Sequence, residues 1–341
     1  MLYNLVAAVV IAMASGFSFL AIFAVGFLLS GFMQVGGLQM AIQKEIWMSS
    51  IVEGLFANNS FLSKAFSADE FVTQGKTVHI PNAGAPSGVV KNRSSFPATV
   101  AQRTDIDLYF VLDNYSTNPI KIDLAESVEL SYSKRESVIA MDRAALINTI
   151  SEAVLFSWLP ASANTINTTG GSGAVTAAAH TPSATGTRKV LDIADVRKAM
   201  TLFNKQNIPQ EGRTLLIDAD MYDQLISTMT TQQAMAFYGQ ADVANGVVGK
   251  LFSFNIMMRS RVGVYATGGT PKDWETAGAA TDNACALAFH ANSVCRALGQ
   301  VVVREDPNSA IYYGDIYSFE VRAGGRPMRN DVAGLLGILQ S

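Results

Sequence analysis

Two predicted strands that lie far apart in the sequence constrain this chain more than any other feature. Residues 76–80 read as the first strand, which Pro81 ends, and residues 106–112 read as the second, with an apolar side chain at every second position. The connection between them, residues 81–105, is polar and turn-prone. Connections as long as this one are uncommon in compact domains. Because an isolated pair of strands is only marginally stable in water, we expect this hairpin to lie on another surface, most naturally a neighbouring subunit.

A long helix is predicted next, over residues 126–158. Neither glycine nor proline interrupts this stretch. Its apolar face is formed by Ile139, Leu146, Ile150 and Val154. Arg143 falls within the same face, so we expect the helix to make partly polar contacts.

The second half of the chain mixes helix and strand signals. Residues 164–186 are rich in threonine, alanine, glycine and serine, which predicts a linker or surface loop. Asp192, with Asp195 three residues later, predicts the start of a helix that ends before Pro209. The further predicted elements are a strand at residues 213–217, a short helix capped by Asp218, a turn and strand at residues 246–256, and strand-like runs at residues 294–303 and 317–321.

The N-terminal segment is apolar and carries no charge before Lys44. Residues 5–33 form a stretch longer than the roughly 20 residues that span a bilayer as a helix. Two interpretations of residues 1–39 stay open: a transmembrane or processed segment, and a start assigned upstream of a working start at Met40. After Met40 the chain reads as soluble, and the spacing of Trp47, Ile51 and Leu55 predicts an arm-like helix.

The composition limits the classes of function. The formal net charge is −3, whereas proteins that bind nucleic acid tightly usually carry a basic excess. Charged residues make up only 16% of the chain, which favours extensive burial between subunits. The two cysteines, Cys285 and Cys295, make no disulfide framework, and we expect them to be buried thiols.

No group of residues predicts catalysis or metal binding. The histidines, His79, His180 and His290, have no partner at metal-ligand spacing beyond the loose pair of His290 and Cys295. The pair Asp218 and Asp220 reads as a helix cap, and the pair Asp105 and Asp107 reads as the solvent face of a strand. The Gly75-Lys76-Thr77 run lacks the earlier glycine of a phosphate-binding loop, since Glu70 stands there. We therefore predict no catalytic residue, cofactor or metal, and a protein that is not an enzyme.

The order of arm, long hairpin, long helix and mixed segment carries a family resemblance. Together with residues 208–217, 246–256, 289–294 and 325–331, it resembles the major capsid proteins of tailed phages with the Hong Kong 97-type fold. The resemblance covers the chain from about Ala41 to the end. One departure is Ser253, which stands where the family pattern has a glycine.

This resemblance implies an α+β capsid fold with a defined division of the chain. Residues 1–39 would be the apolar leader, residues 40–75 the N-terminal arm and residues 76–121 the extended loop. Residues 122–189 would hold the spine helix and linker of the peripheral domain, residues 190–290 the axial domain, and residues 291–341 the strands that return through the peripheral domain.

The function that the resemblance implies is self-assembly. Pentamers and hexamers of the chain would form an icosahedral shell around double-stranded DNA, which the shell would contact without sequence specificity. Portal and scaffolding proteins are the implied partners, and the virion, assembled in the host cytoplasm, is the implied location. Two alternatives stay open: a cellular nanocompartment shell of the same fold, and a membrane-anchored surface or binding protein if the N-terminal segment is real.

Overall fold

The computed structural model describes residues 48, 51–55, 59–73, 76–82, 89–94, 96–97, 100, 106–123 and 134–341. It separates into two units, Met1–Glu53 and Gly54–Ser341. In the first unit, Met48 and residues 51–53 are helical, as the arm prediction requires, while the apolar leader at residues 1–39 lies outside the described residues. Across these ranges, no helix is both long enough and apolar enough to span a bilayer. The elements below all belong to the second unit.

The elements are named here in chain order for the described residues. The strands are β1 (Phe66–Ser67), β2 (Val72–Thr73), β3 (Thr77–Asn82), β4 (Ile106–Val111), β5 (Asp113–Ser116), β6 (Ile120–Asp123), β7 (Thr165–Asn167), β8 (Thr176–Ala178), β9 (Thr187–Lys189), β10 (Arg213–Asp218), β11 (Val247–Leu251), β12 (Phe254–Arg259), β13 (Gly263–Ala266), β14 (Thr270–Pro271), β15 (Asn283–His290), β16 (Val294–Ser309), β17 (Gly314–Pro327) and β18 (Leu335–Leu339). The α-helices are α1 (Lys134–Ser157), α2 (Ile193–Lys205), α3 (Ala219–Ser227) and α4 (Thr231–Tyr238). Short 3-10 helices lie at Ser60–Lys64, Asp69–Phe71, Ser162–Asn164, Val243–Asn245 and Ala291–Ser293.

An eight-stranded sheet organises the second half of the chain. Its path is β11-β12-β10-β15-β13-β14, and β18 pairs with both β15 and β7. Helices α2 and α3 cover it through a core that includes Val196, Phe203, Leu215, Met221 and Ile338. The predicted α+β class and the predicted capping of α2 are both confirmed, since Asp192 and Asp195 form the reciprocal capping box.

A five-stranded sheet carries the long helix. Its path is β1-β16-β17-β5, with β6 also paired to β17, and β16 and β17 form one long hairpin. Helix α1 packs against β17, and its predicted apolar face is buried. The helix ends at Ser157, as the sequence predicted to within a residue, while residues 126–133 of the prediction lie outside the described part. Strands β5 and β6, which the sequence assigns to the extended loop, belong to this sheet.

Trp158 lies where the two sheets meet. Its indole N–H donates to the carbonyl of Cys295 in β16 at 2.9 Å, and its ring packs 5.6 Å from that of Phe289 in β15. The helix can approach β17 this closely only because Gly325 has no side chain: a Cβ there would lie 2.7 Å from the indole nitrogen. Trp158 is fully buried, so one residue joins the helix to both sheets.

The predicted hairpin is confirmed, with one correction at its proline. Strands β3 and β4 pair antiparallel from Thr77↔Val111 to Asn82↔Ile106, so the strand continues past Pro81 instead of ending there. The reason is that β2 pairs with β3 only near Thr77, which leaves one side of Pro81 without a partner strand. The base of the hairpin packs on the five-stranded sheet through Val78, Ile80, Leu108, Leu112 and Ala297.

Two other predictions need correction. The predicted linker at residues 164–186 contains β7, which pairs with β18, and β8, which pairs with β9. The predicted single strand at residues 246–256 is two strands, β11 and β12, separated by a tight turn at Phe252 and Ser253. Ser253 has φ 119°, a conformation that favours glycine, which is the residue the family pattern has there.

Candidate interaction surfaces

The histidines and cysteines lie apart in the fold. His79 stacks on Tyr109 within the β3–β4 hairpin, with ring centroids 6.1 Å apart. His290 donates through Nε2 to the carbonyl of Glu211 at 3.0 Å, and its Nδ1 accepts from the Asn292 N–H. Cys285 and Cys295 are free and buried, and burial raises the pKa of the Cys295 thiol to about 11, which makes it unreactive near neutral pH.

His180 forms the contact that sequence reasoning missed. Its Nε2 lies 2.8 Å from Oδ2 of Asp218, and a ligand atom from each of His180, Asp218 and Asp220 lies within 4.8 Å of the others. Asp218 is already engaged through its other oxygen, which accepts from the N–H of Met221 at 2.7 Å and caps α3, as predicted. The arrangement therefore acts as an ion pair that fastens the β8–β9 hairpin to α3. No local signal could reveal it, because 38 residues separate His180 from Asp218.

Of the other candidates from the sequence, Asp107 lies in β4. Asp105 and Gly75 lie outside the described residues. The glycines at 170 and 171 form a turn with positive φ, as a flexible-loop composition suggests. In the part of the chain that the structure describes, we find no set of acid, base and nucleophile that faces one cavity.

Apolar side chains instead project at the ends of long elements. Between β3 and β4, Val89 is 98% exposed and Val100 is 93% exposed, and Phe96 is exposed between them. Several exposed apolar groups within one segment favour contact with another protein surface. This is the segment for which the sequence predicted contact with a neighbouring subunit.

A second projection is the turn of the β16–β17 hairpin, which the sequence analysis did not single out. Ile311, Tyr312 and Tyr313 are consecutive and are 80%, 55% and 83% exposed. A run of three large apolar residues between two alternating strands was the available signal. A third cluster, Met235, Tyr238 and Val243, is exposed on and just after α4.

A concave surface lies beside α1, where β5, the helix and the loop before β15 meet. It consists of two adjoining cavities of about 290 and 580 Å³, and Tyr115 and Trp274 line both. The rings of these two residues pack edge to face, 6.1 Å apart. Among the described residues, the lining carries the carboxylates Asp113, Asp142, Asp273 and Glu275 and no lysine, arginine or histidine. We call this surface the acidic cleft.

The charge of the acidic cleft affects its tyrosine. Burial, followed by the negative charges of Asp113 and Glu275, raises the pKa of Tyr115 to about 12. The loop that presents Trp274 is held rigid by Lys272, whose ammonium lies 2.6 Å from Asp282 and also donates to the carbonyl of Ala277. A rigid, negatively charged surface with two aromatic rings suits a basic and apolar partner segment.

Comparison with solved structures places this fold. The chain superposes on the capsid of Ralstonia phage GP4 with TM-score 0.54 and 12% identity, over 81% of this chain and 84% of that one. The head structure of Helicobacter pylori bacteriophage KHP40 gives TM-score 0.54 and 11% identity, over 81% and 85%. The capsid of Cyanophage P-SCSP1u gives TM-score 0.53 and 15% identity, over 78% and 84%. No protein-family model matches the sequence, and a comparison with curated proteins finds no match.

The chain has the fold of tailed-phage capsid proteins. The resemblance read from the sequence is thereby confirmed at the level of fold.

Proposed function

We propose that this chain is the major capsid protein of a tailed phage and assembles into the icosahedral shell of the virion. The observation that carries the proposal is the agreement with phage capsid and head structures over about four fifths of both chains. At such low sequence identity the agreement concerns architecture. The surfaces of this chain give independent support, because exposed apolar side chains occur together between β3 and β4 and at the β16–β17 turn.

The physics of assembly fits these surfaces. A head-to-tail contact between different patches of identical subunits closes into rings, and rings of five and six close into a shell. Each contact can be weak, because a subunit in a closed shell makes many contacts at once. Several small projections are therefore more useful to such a protein than a single large interface.

The division into domains and the partners are part of the same proposal. Residues 190–290, built on the eight-stranded sheet, would form the axial domain around the ring axes, and the five-stranded sheet with α1 would form the peripheral domain. Portal and scaffolding proteins would be partners during assembly in the host cytoplasm. The net charge of −3 suits a lining that touches packaged DNA without holding it tightly.

Expression and electron microscopy test this function. We expect the full chain, or residues 40–341, to yield closed shells when produced with or without the scaffolding protein of the same genome. Sedimentation should show particles far larger than single rings. Soluble monomers under every assembly condition would contradict the proposal. A neighbouring gene for a portal or a terminase would separate a phage shell from a nanocompartment shell.

A further inference from the structure

The charge of the extended loop is opposite to that of the acidic cleft. Residues 83–104 contain Lys91, Arg93 and Arg103 and no acidic residue. The described part of this segment adds the exposed apolar side chains of Val89 and Phe96 on either side of Lys91 and Arg93. The loop therefore offers the cations that the described lining of the acidic cleft lacks, together with an exposed aromatic ring.

The loop and the cleft are attached to opposite ends of β4. Strand β4 leads directly into β5, which carries Asp113 and Tyr115 of the acidic cleft, whereas the loop lies at the opposite end of β4. Six residues of strand separate the two ends by about 20 Å. Within the single chain, Val89 and Val100 are almost fully exposed, so these two side chains do not pack on their own subunit. A second copy would supply the matching surface.

We propose that the acidic cleft of one subunit receives the loop segment at residues 89–97 of a second copy, with Lys91 and Arg93 facing its carboxylates and Phe96 packing beside Trp274. This inference rests on the proposed function, because it requires assembled subunits. It deepens that function by assigning the surface on which the loop lies. Asp273 and Glu275 are the exposed carboxylates of the cleft nearest to Trp274 in sequence. They are therefore the residues of the cleft that the charge exchange below replaces.

Zero-length carbodiimide coupling tests the contact directly. Shells are assembled from a mixture of unlabelled and ¹⁵N-labelled full-length chain, coupled, digested and analysed by mass spectrometry. We expect Lys91 of one isotope to be joined to Asp113, Asp142, Asp273 or Glu275 of the other. Shells in which Lys91 couples only to other carboxylates, or to none, would overturn the assignment while leaving the shell function intact. If the full chain forms no shells at all, the proposed function fails and this inference fails with it.

A charge exchange tests whether the contact matters. Lys91→Glu with Arg93→Glu in the loop, or Asp273→Lys with Glu275→Lys in the cleft, should each lower the yield of shells about tenfold, because the loss is repeated at every copy. The variant with all four changes should recover to within about threefold of the natural chain, because opposite charges face each other again.

The matched control reverses charge on an exposed face of α2, with Lys198→Glu and Lys205→Glu. Its yield should stay within about twofold of the natural chain. An equal loss in the control, or a four-residue variant no better than either double variant, would overturn the pairing. Thermal unfolding of each soluble subunit separates an assembly defect from a folding defect.

Discussion

At the scale of single residues, Arg213 shows how this fold uses a buried charge without a carboxylate. Its guanidinium donates to the carbonyls of Ile208 and Pro209, to the side-chain oxygen of Asn204 at 2.8 Å and to the hydroxyl of Ser253 at 3.0 Å. Every acceptor is neutral, and burial lowers the pKa of Arg213 from its ordinary value. The residue joins the end of α2 to the β11–β12 turn, and it also accounts for a serine at a position that favours glycine, since the hydroxyl accepts one of its bonds.

Replacing Arg213 by lysine should lower the free energy of unfolding by about 2–4 kcal/mol, because a single ammonium cannot reach acceptors spread over a planar fork. Urea unfolding of the soluble subunit measures the loss. The matched control is Arg197→Lys on the exposed face of α2, which should change stability by less than about 0.5 kcal/mol. Equal free energies of unfolding for the two variants would show that the four hydrogen bonds of Arg213 do not stabilise the fold.

His180 makes the stability of the subunit depend on pH. Burial alone would lower its pKa, but the hydrogen bond to Asp218 and the charges of Asp218 and Asp220 outweigh it, and the pKa is raised from 6.5. A raised pKa in the folded state stabilises the fold below the ordinary value, and this contribution is lost as the pH rises through the raised value. The natural chain should therefore exceed His180→Gln in stability by on the order of 1 kcal/mol more at about pH 5.5 than at about pH 8.5.

His290 supplies a control of opposite sign. Burial, and then the charge of Arg213, lower the pKa of His290, while its bond to the carbonyl of Glu211 only partly opposes them. The advantage of the natural chain over His290→Gln should accordingly grow as the pH rises. Urea unfolding at the two pH values gives both differences. The same trend for both variants would contradict the assignment of the His180 pair.

At the scale of elements, local signals predicted some of this fold and missed the rest for a physical reason. Asp192 and Asp195 predicted the start of α2, and the alternation of apolar residues predicted β4. Both signals arise within a few neighbouring residues. Strand β7 has three residues and exists because Ile166 pairs with Ile338 of β18, far along the chain. A segment whose hydrogen bonds come from so distant a partner carries no periodicity of its own, so it read as a linker.

The same distinction applies to the candidate surfaces. The loop tip could be predicted, since its length and composition are local properties. The acidic cleft could not, because Asp113, Asp142 and Trp274 come from three separate segments that only the tertiary fold brings together. Helix α4 was missed for a different reason: Thr230 and Gln233 form a capping box that the sequence does show, but a helix of eight residues gives little periodicity to support it.

At the scale of the whole molecule, the proposed function requires a subunit that is stable alone and binds its copies in a shell, and the β16–β17 hairpin separates these two requirements. The body of the hairpin belongs to the five-stranded sheet, whereas Ile311, Tyr312 and Tyr313 at its turn are exposed and contribute little to the core. In a closed shell the same three side chains would be buried against other copies. Their removal should affect assembly and spare the fold.

The test is the variant Ile311→Ser, Tyr312→Ser, Tyr313→Asn, in which asparagine tolerates the φ of 53° at position 313. We expect its unfolding free energy to stay within about 0.5 kcal/mol of the natural chain, because exposed side chains are replaced. The yield of shells should fall about tenfold or more, because burial of apolar area is lost at every copy. The matched control, Ile311→Val, Tyr312→Phe, Tyr313→Phe, keeps an apolar turn and should assemble nearly as the natural chain does. Normal shells from the polar variant, or failure of both variants, would contradict a role for the apolar turn in assembly.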